Sequence, residues 1–219
     1  RFQPTMNALI LRLGIPNGVQ MITTSLAGLI IIRLINQFGS QATAAFGAIT
    51  QIINYIQFPA LSIGIATSIM AAQAIGADRS DALKKITRTA MLFNLIFTGS
   101  LIILAYLFSG HVIALFITDE EVIALGQSLL HISLWSMIFF GASAVLNAVM
   151  RASGTVWAPM LMILAMLLVV ELPLAYVLSK WIGLSGIWYA YAATFVSTFF
   201  VVLAFYQFVW KRRTITKLV

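Results

Sequence analysis

Long apolar segments separated by short polar interruptions are the dominant feature of this sequence. The chain is 61% hydrophobic and 9% charged, and its mean hydropathy is +1.01. An ordinary soluble domain has roughly 45 to 50% apolar and about 25% charged residues. A membrane-spanning helix needs about 20 apolar residues, so a chain of this length has room for about six of them with short loops. The composition predicts an all-α fold, a polytopic membrane helix bundle.

The longest polar interruption, residues 73–88, sets the predicted orientation of the bundle. It contains Arg79, Lys84, Lys85 and Arg88 between two apolar segments. Basic residues next to membrane spans stay on the cytoplasmic side. Counting alternate spans from this loop, and noting the basic residues before the first span and after the last, we expect both termini to be cytoplasmic.

The hydropathy pattern divides the chain into three parts. Residues 1–12 are predicted to be a cytoplasmic linker or interfacial segment, residues 13–210 a six-helix transmembrane lobe, and residues 211–219 a basic cytoplasmic tail. The six spans are expected at residues 13–38, 44–72, 89–108, 122–150, 157–179 and 185–210.

The second span contains a stripe of small residues. Ala60, Gly64, Ser68 and Ala72 recur every four positions. Small side chains allow the backbone of a second helix to approach closely in a membrane. We expect this face to pack against another helix.

Polar side chains recur at helical spacing in the first, second and fourth spans. Such stripes would be costly in contact with lipid, so they face other helices or a cavity. A mixed surface of aromatic, hydroxyl and amide groups suits a large amphiphilic ligand, whereas interhelical hydrogen bonding needs the same residue types. Both interpretations remain open. The candidate substrate-cavity residues are Asn17, Gln20, Thr24, Gln51, Asn54, Ser136, Phe140, Ser143 and Asn147.

Glu171 is the sole carboxylate inside a predicted span. An acidic side chain at this depth normally faces a cavity or a partner, and it is a candidate for proton or cation coupling. Alternatively, Glu171 lies near the outer interface, since Lys180 and Trp181 follow closely. Pro173 lacks an amide hydrogen and frees the carbonyl of Val169 from its usual helical hydrogen bond.

Several chemistries have no residues to support them. The chain has no cysteine, which excludes disulfides and thiolate metal sites. It lacks the usual nucleophile and phosphate-binding motifs, and His111 and His131 stand apart in sequence. We therefore expect no catalytic residues, no metal site and no cofactor. The basic residues flank apolar segments, so we expect no nucleic-acid partner. Because the chain begins at Arg1, we expect a fragment or a processed piece.

Four stretches resemble one family when taken in order. LRLGIPNGVQ opens the first span, AAQAIGADRSDALKK follows the second, LFITDEEVIALG precedes the fourth, and VMRASGTVWAP joins the fourth to the fifth. Together they resemble the multidrug and toxic compound extrusion (MATE) transporters over nearly the whole chain. Members of that family have twelve helices in two six-helix lobes related as repeats.

The resemblance implies a half-transporter. The stretch before the fourth span and the basic tail are similar to the carboxy-terminal lobe, so the expected partner is the amino-terminal six-helix lobe. The implied activity is export of small cationic or amphiphilic drugs by alternating access, in exchange for protons or sodium ions. The implied location is a plasma membrane, the bacterial inner membrane, with membrane lipid around the helices.

The sequence departs from some branches of the family at two points. Those branches carry acidic residues in the first and fourth helices of this lobe, and the matching neighbourhoods here hold Thr24 and Phe140. The resemblance to another branch, with coupling carboxylates in the amino-terminal lobe, would make Glu171 a local feature. Two alternatives to drug export remain: a flippase for lipid-linked saccharides, for which Arg33 is the available cation, and a non-transporting structural membrane subunit.

Overall fold

The computed structural model describes residues 4–79 and 81–212. Residues 213–219, most of the predicted basic tail, lie outside this range, as do residues 1–3. The described residues form helices and short connections. The elements are α1 (Pro4–Asn36), α2 (Ser40–Gly76), α3 (Ala82–Ala114), α4 (Glu120–Leu134), α5 (Met137–Ala152), α6 (Trp157–Ala165), a π-helical turn (Met166–Glu171), α7 (Leu172–Ile182), α8 (Ser185–Phe208) and a final 3-10 turn (Trp210–Arg212).

The described helices match the predicted membrane bundle. Five helical segments are long and apolar enough to cross a membrane, and the bent pair α4–α5 makes a sixth when its two helices are counted as one span. Residues 4–12, predicted as a linker or interfacial segment, form one continuous helix with the first span, because α1 begins at Pro4.

The fourth span is two helices, which corrects the single helix predicted for residues 122–150. α4 and α5 meet at 45° around Trp135 and Ser136. The Ser136 hydroxyl donates to the carbonyl of Ser133 at this point, and local bonds of this kind often bend helices.

The amino-terminal end of α4 is capped by Asp119. Its carboxylate accepts hydrogen bonds from the amides of Glu121 at 3.0 Å and Val122 at 3.4 Å.

The fifth span contains a π-helical turn between α6 and α7. Pro173, the second residue of α7, cannot donate a backbone hydrogen bond to Val169. A local widening of the helix accommodates this missing bond, and single π turns of this kind are frequent at functional sites. Glu171 is the last residue of the turn.

The helices close into a ring. α1 contacts α2, α6 and α7; α2 contacts α5; and α5 contacts α8, which returns to α6, the π turn and α7. We call α1, α2, α5, α8 and the α6–α7 span the helix ring. α3 and α4 pack on one side of it, against α2 and each other.

The small-residue stripe of α2 packs as predicted over its first part. Gly64 lies against α5, where a Cβ atom would meet the carbonyl oxygen of Ala144 at 3.4 Å. Ala60 is also fully buried, but Ala72 is exposed, and the buried positions continue through Thr67 and Ala71 instead. An interval of four overshoots the helical period of 3.6 residues, so the predicted stripe drifts away from the contact.

Candidate functional site

Glu171 is buried where the π turn meets α8. It is 7% exposed, and no described residue forms a hydrogen bond or an ion pair with its carboxylate. Tyr191 of α8 lies close enough to interact with it electrostatically. An acidic group buried inside a membrane span without a partner charge is expensive when ionised, and such groups mark ion or proton sites. The bundle therefore encloses Glu171 and keeps it away from open water.

A row of aromatic rings runs along α8 beside Glu171. Trp188 and Tyr191 have ring centroids 5.7 Å apart, and Tyr191 stacks on Phe195 at 6.4 Å. The row extends to α2, where Phe46 lies 5.8 Å from Trp188, and to α5, where Phe140 lies 5.6 Å from Phe195. We call these five rings the aromatic row. Trp188 is 1% exposed and belongs to the hydrophobic core, and Phe46, Tyr191 and Phe195 pack against that core. Partly exposed aromatic faces can contact apolar and cationic groups, and Phe140 is the ring of the row that lies outside this core cluster.

Arg151 crosses the ring from the end of α5 to α1. Its Nη2 atom donates to Gln20 Oε1 at 2.9 Å. Its Nε atom is buried and has no hydrogen-bond partner among the described residues, and the same holds for Asn147 Oδ1, one turn earlier on the same face. The ring therefore contains a guanidinium and an amide with unused hydrogen-bonding capacity.

The candidates predicted on α1 and α2 are only partly covered. Asn17 and Gln20 are half-buried, and Thr24 is exposed. Gln51 and Asn54 of α2 are also half-buried. These side chains are accessible enough to contact a ligand or a second lobe.

The candidates predicted on the fourth span divide into two groups. Ser136 is fully buried, and the Ser143 hydroxyl donates to the carbonyl of Phe139 at 2.8 Å, so both hydroxyls are used locally. Phe140 belongs to the aromatic row, and Asn147 keeps an unpaired oxygen. Of these four residues, Phe140 and Asn147 have the groups best able to contact a ligand.

Two polar clusters lie outside the helix ring and have their hydrogen bonds satisfied. In the Asn94 cluster, the Asn94 amide donates to the carbonyl of Ala60 at 3.3 Å and accepts from Thr98 at 3.1 Å. Asn94 is 1% exposed and packs against Gly141 of α5. The cluster joins α2, α3 and α5.

The Ser109 cluster joins α3 to α4. The hydroxyl of Ser109 accepts from Gln127 at 2.9 Å and lies 3.0 Å from His131 Nε2. Tyr106 donates to the carbonyl of His131 at 2.9 Å, and their rings are 4.8 Å apart. His131 thus has a protein partner in the bundle. Sequence reasoning missed the pairing because the partners are 18 or more residues apart.

Comparison with known proteins identifies the family. The MatE family model matches residues 16–177, most of the chain. The chain belongs to the MatE family. The matched region contains the helix ring up to α7, including Glu171, Arg151 and Phe140.

Curated MatE relatives are about twice as long as this chain. The probable multidrug resistance protein YoeA of Bacillus subtilis is 44% identical over 213 residues, which cover 96% of this chain and 46% of YoeA. The probable multidrug resistance protein NorM of Thermotoga maritima is 22% identical over 209 residues, which cover 94% of this chain and 45% of NorM. The chain therefore spans about half the length of these MatE relatives.

Solved structures confirm the fold. The Vibrio cholerae MATE transporter VcmN in its bent form superposes with a TM-score of 0.82 at 21% identity, over 92% of this chain and 47% of that one. A transporter from Pyrococcus furiosus superposes with a TM-score of 0.86 at 22% identity, over 96% of this chain and 46% of that one. That transporter is described as having a binding pocket of reverse polarity that suggests a different function. This MatE chain has the fold of half a transporter, which confirms the predicted fold class and the family resemblance.

Proposed function

We propose that this chain is the carboxy-terminal lobe of a secondary active exporter of cationic or amphiphilic compounds. The observation that carries the proposal is a half-length match to MATE transporters combined with a ring that holds an unpaired buried carboxylate beside a row of aromatic rings. A cation with an apolar body suits such a surface, because the rings contact the body and the carboxylate attracts the charge.

The exposed surface of α1 is where we place the second lobe. Met21, Ile22 and Leu29 are 72%, 63% and 62% exposed. α1 contacts the other helices of the ring on one side. The polar residues Asn17 and Thr24 also lie on α1. We propose that the amino-terminal lobe covers part of this helix and that a substrate cavity forms between the two lobes.

We further propose that Glu171 takes up the coupling ion, a proton or sodium. Burial without a partner charge is the condition under which protonation or cation binding is favourable. Its position on a π turn next to Pro173 gives a helix segment that can change its hydrogen-bonding pattern as the transporter alternates.

Ethidium efflux from cells that express the complete two-lobe protein tests both proposals. Efflux should depend on a proton or a sodium gradient, and Glu171→Gln should lower it at unchanged membrane expression. Glu120→Gln is the matched control, because Glu120 is an exposed carboxylate in the first turn of α4. Full efflux by Glu171→Gln would reduce Glu171 to a structural residue. Absence of efflux under both gradients would refute the exporter.

Cysteine accessibility tests the cavity. The chain contains no native cysteine, so single cysteines can be introduced without a background from this lobe. A membrane-impermeant thiol reagent should label the cavity positions in the two-lobe protein and should not label Thr98→Cys, which is fully buried. If none of the cavity positions is labelled, the proposed cavity is refuted. The positions are Gln20, Thr24, Asn54, Ser143 and Asn147. Ser143 and Asn147 are buried within this lobe, so their labelling tests whether the cavity between the two lobes opens onto them.

A flippase for lipid-linked saccharides is the second candidate, and Arg151 favours it. The sequence indicated Arg33 as the available cation, but Arg33 is exposed, whereas Arg151 reaches into the ring with a buried, unpaired Nε atom. A guanidinium of this kind suits a phosphate group. Loss of anionic but not cationic substrate transport in Arg151→Gln would support this candidate.

We propose that the protein lies in the bacterial inner membrane with the α2–α3 loop and the end of α8 in the cytoplasm. Lys84, Arg88 and Lys211 lie at the same end of the bundle, and Asp119, Glu120 and Glu121 lie beyond the far end of α3, in the α3–α4 connection and first turn of α4. This distribution follows the rule that basic residues stay inside.

A further inference from the structure

A groove opens on the lipid-facing side of the bundle between α3, α5 and α8. Its volume is about 440 Å³. We call it the basic groove, because three exposed cations stand beside an apolar floor. The cations are Lys84, Arg88 and Lys211, and the floor is formed by Met91, Leu92, Leu95, Leu146 and Leu203 together with Thr87 and Tyr206.

The polar groups of the floor are already used. Thr87 donates to the carbonyl of Leu83 at 2.7 Å and accepts from the Tyr206 hydroxyl at 3.4 Å. The floor therefore offers apolar surface to an occupant. Along α3 the groove extends from Lys84 to Leu95, which is about 16 Å at the helical rise.

Within the part of the chain that the structure describes, the three cations have no acidic partners. No described carboxylate forms an ion pair with Lys84, Arg88 or Lys211, and Lys211 lies 5.1 Å above the ring of Tyr206. Three uncompensated positive charges next to a groove repel each other, and an anion at the mouth would remove that repulsion. The groove thus combines a positive mouth with an apolar channel on one helix face.

We propose that the basic groove binds an anionic phospholipid of the cytoplasmic leaflet. The phosphate lies among Lys84, Arg88 and Lys211, and one acyl chain follows α3 over Met91 and Leu95. A bound lipid of this class matches both parts of the groove, and basic pockets between membrane helices on the cytoplasmic side bind such headgroups. The occupant is distinct from the exported substrate, because the groove faces the outside of the helix ring.

Lipid binding to the purified two-lobe protein in detergent tests this site. Native mass spectrometry would compare dioleoyl phosphatidylglycerol with dioleoyl phosphatidylcholine. We expect the anionic lipid to bind at least about tenfold more tightly, and the combined Lys84→Gln, Arg88→Gln and Lys211→Gln variant to lose that preference. These side chains are exposed, so the variant should fold, and its thermal midpoint is measured alongside.

A charge-matched variant provides the control. Arg79→Gln, Lys85→Gln and Arg212→Gln together remove the same charge from the same end of the molecule, but none of these residues lines the groove. The control variant should keep the lipid preference. Equal loss in both variants would mean general surface attraction and would overturn the site.

Glycerol 3-phosphate separates a lipid site from a plain anion site. It carries the phosphate without acyl chains and should compete at least about a hundredfold less well than the lipid, because it leaves the apolar floor uncovered. Competition equal to that of phosphatidylglycerol would overturn the lipid assignment. These readouts measure binding, so they are independent of whether the protein exports drugs.

Discussion

Gly141→Ala should destabilise the bundle through its contact with Asn94. A Cβ atom at position 141 would overlap Asn94 Oδ1 and lie 3.0 Å from Asn94 Cγ. The amide cannot simply rotate away, because it donates to the carbonyl of Ala60 and accepts from Thr98. The added methyl group must therefore displace α5 from α3 or break these two hydrogen bonds.

The expected cost follows from these two options. Overpacking a filled site costs about 1 to 3 kcal/mol, and each hydrogen bond between membrane helices contributes about 0.6 kcal/mol. Either option should lower the free energy of unfolding of Gly141→Ala by about 1 to 3 kcal/mol. In the Asn94→Ala background the added methyl group has space and should cost less than about 1 kcal/mol, so the two substitutions should be coupled by about 1 to 2 kcal/mol.

Denaturant unfolding of the purified protein in bicelles measures this coupling. It is carried out on the parent, on both single variants and on the double variant. Gly99→Ala is the control, because its Cβ atom would lie 3.9 Å from Ile138 Cδ1, an ordinary contact; we expect little change. Additive effects of Gly141→Ala and Asn94→Ala, within about 0.5 kcal/mol, would refute the steric argument.

Two further substitutions probe other helix contacts. Gly186→Ala should sharply reduce the yield of folded protein, because its Cβ atom would overlap the backbone carbonyl of Leu178, which cannot move as a side chain can; a normal yield and melting temperature would contradict the close α7–α8 contact. Ser109→Ala should lower the free energy of unfolding by about 1 to 2 kcal/mol, because Gln127 and His131 lose their shared partner; unchanged thermal unfolding would mean that water replaces the hydroxyl.

Hydropathy was sufficient to predict a bundle of five or six membrane-spanning helices, because a membrane requires long apolar helices and imposes few alternatives. Short-range patterns were less reliable where one bond changes the helix. The Ser136 hydroxyl bonds to the carbonyl of Ser133 at the bend, but Ser128 forms the same kind of bond with Leu125 inside the unbroken helix α4, so the serine does not identify the bend in the sequence. The π turn had a partial signal in Pro173, whose missing amide is visible in the sequence although its structural consequence is not.

The role of individual polar residues depends on pairings that local sequence does not contain. Arg151 lies in the last turn of α5, and its partner Gln20 is 131 positions away along the chain. Arg33 is exposed and Arg151 is half-buried, and the residue type alone does not distinguish them. Helix packing decides which of them reaches the interior of the ring, and that information is spread over the contacts of α1, α5 and α6.

Unused hydrogen-bonding groups are distributed unevenly in the bundle, which bears on the two interpretations that the polar stripes allowed. The Asn94 and Ser109 clusters lie between α3 and its neighbours, and their polar groups are matched to partners, as interhelical hydrogen bonding requires. In the helix ring, Asn147 Oδ1, Arg151 Nε and Trp188 Nε1 are buried without hydrogen-bond partners among the described residues, and no described residue pairs with the carboxylate of Glu171. Leaving such groups unpaired costs free energy, and structural packing alone gives no reason to retain several of them in one ring. Retaining them is reasonable if a substrate, an ion or a second lobe supplies the missing partners during transport.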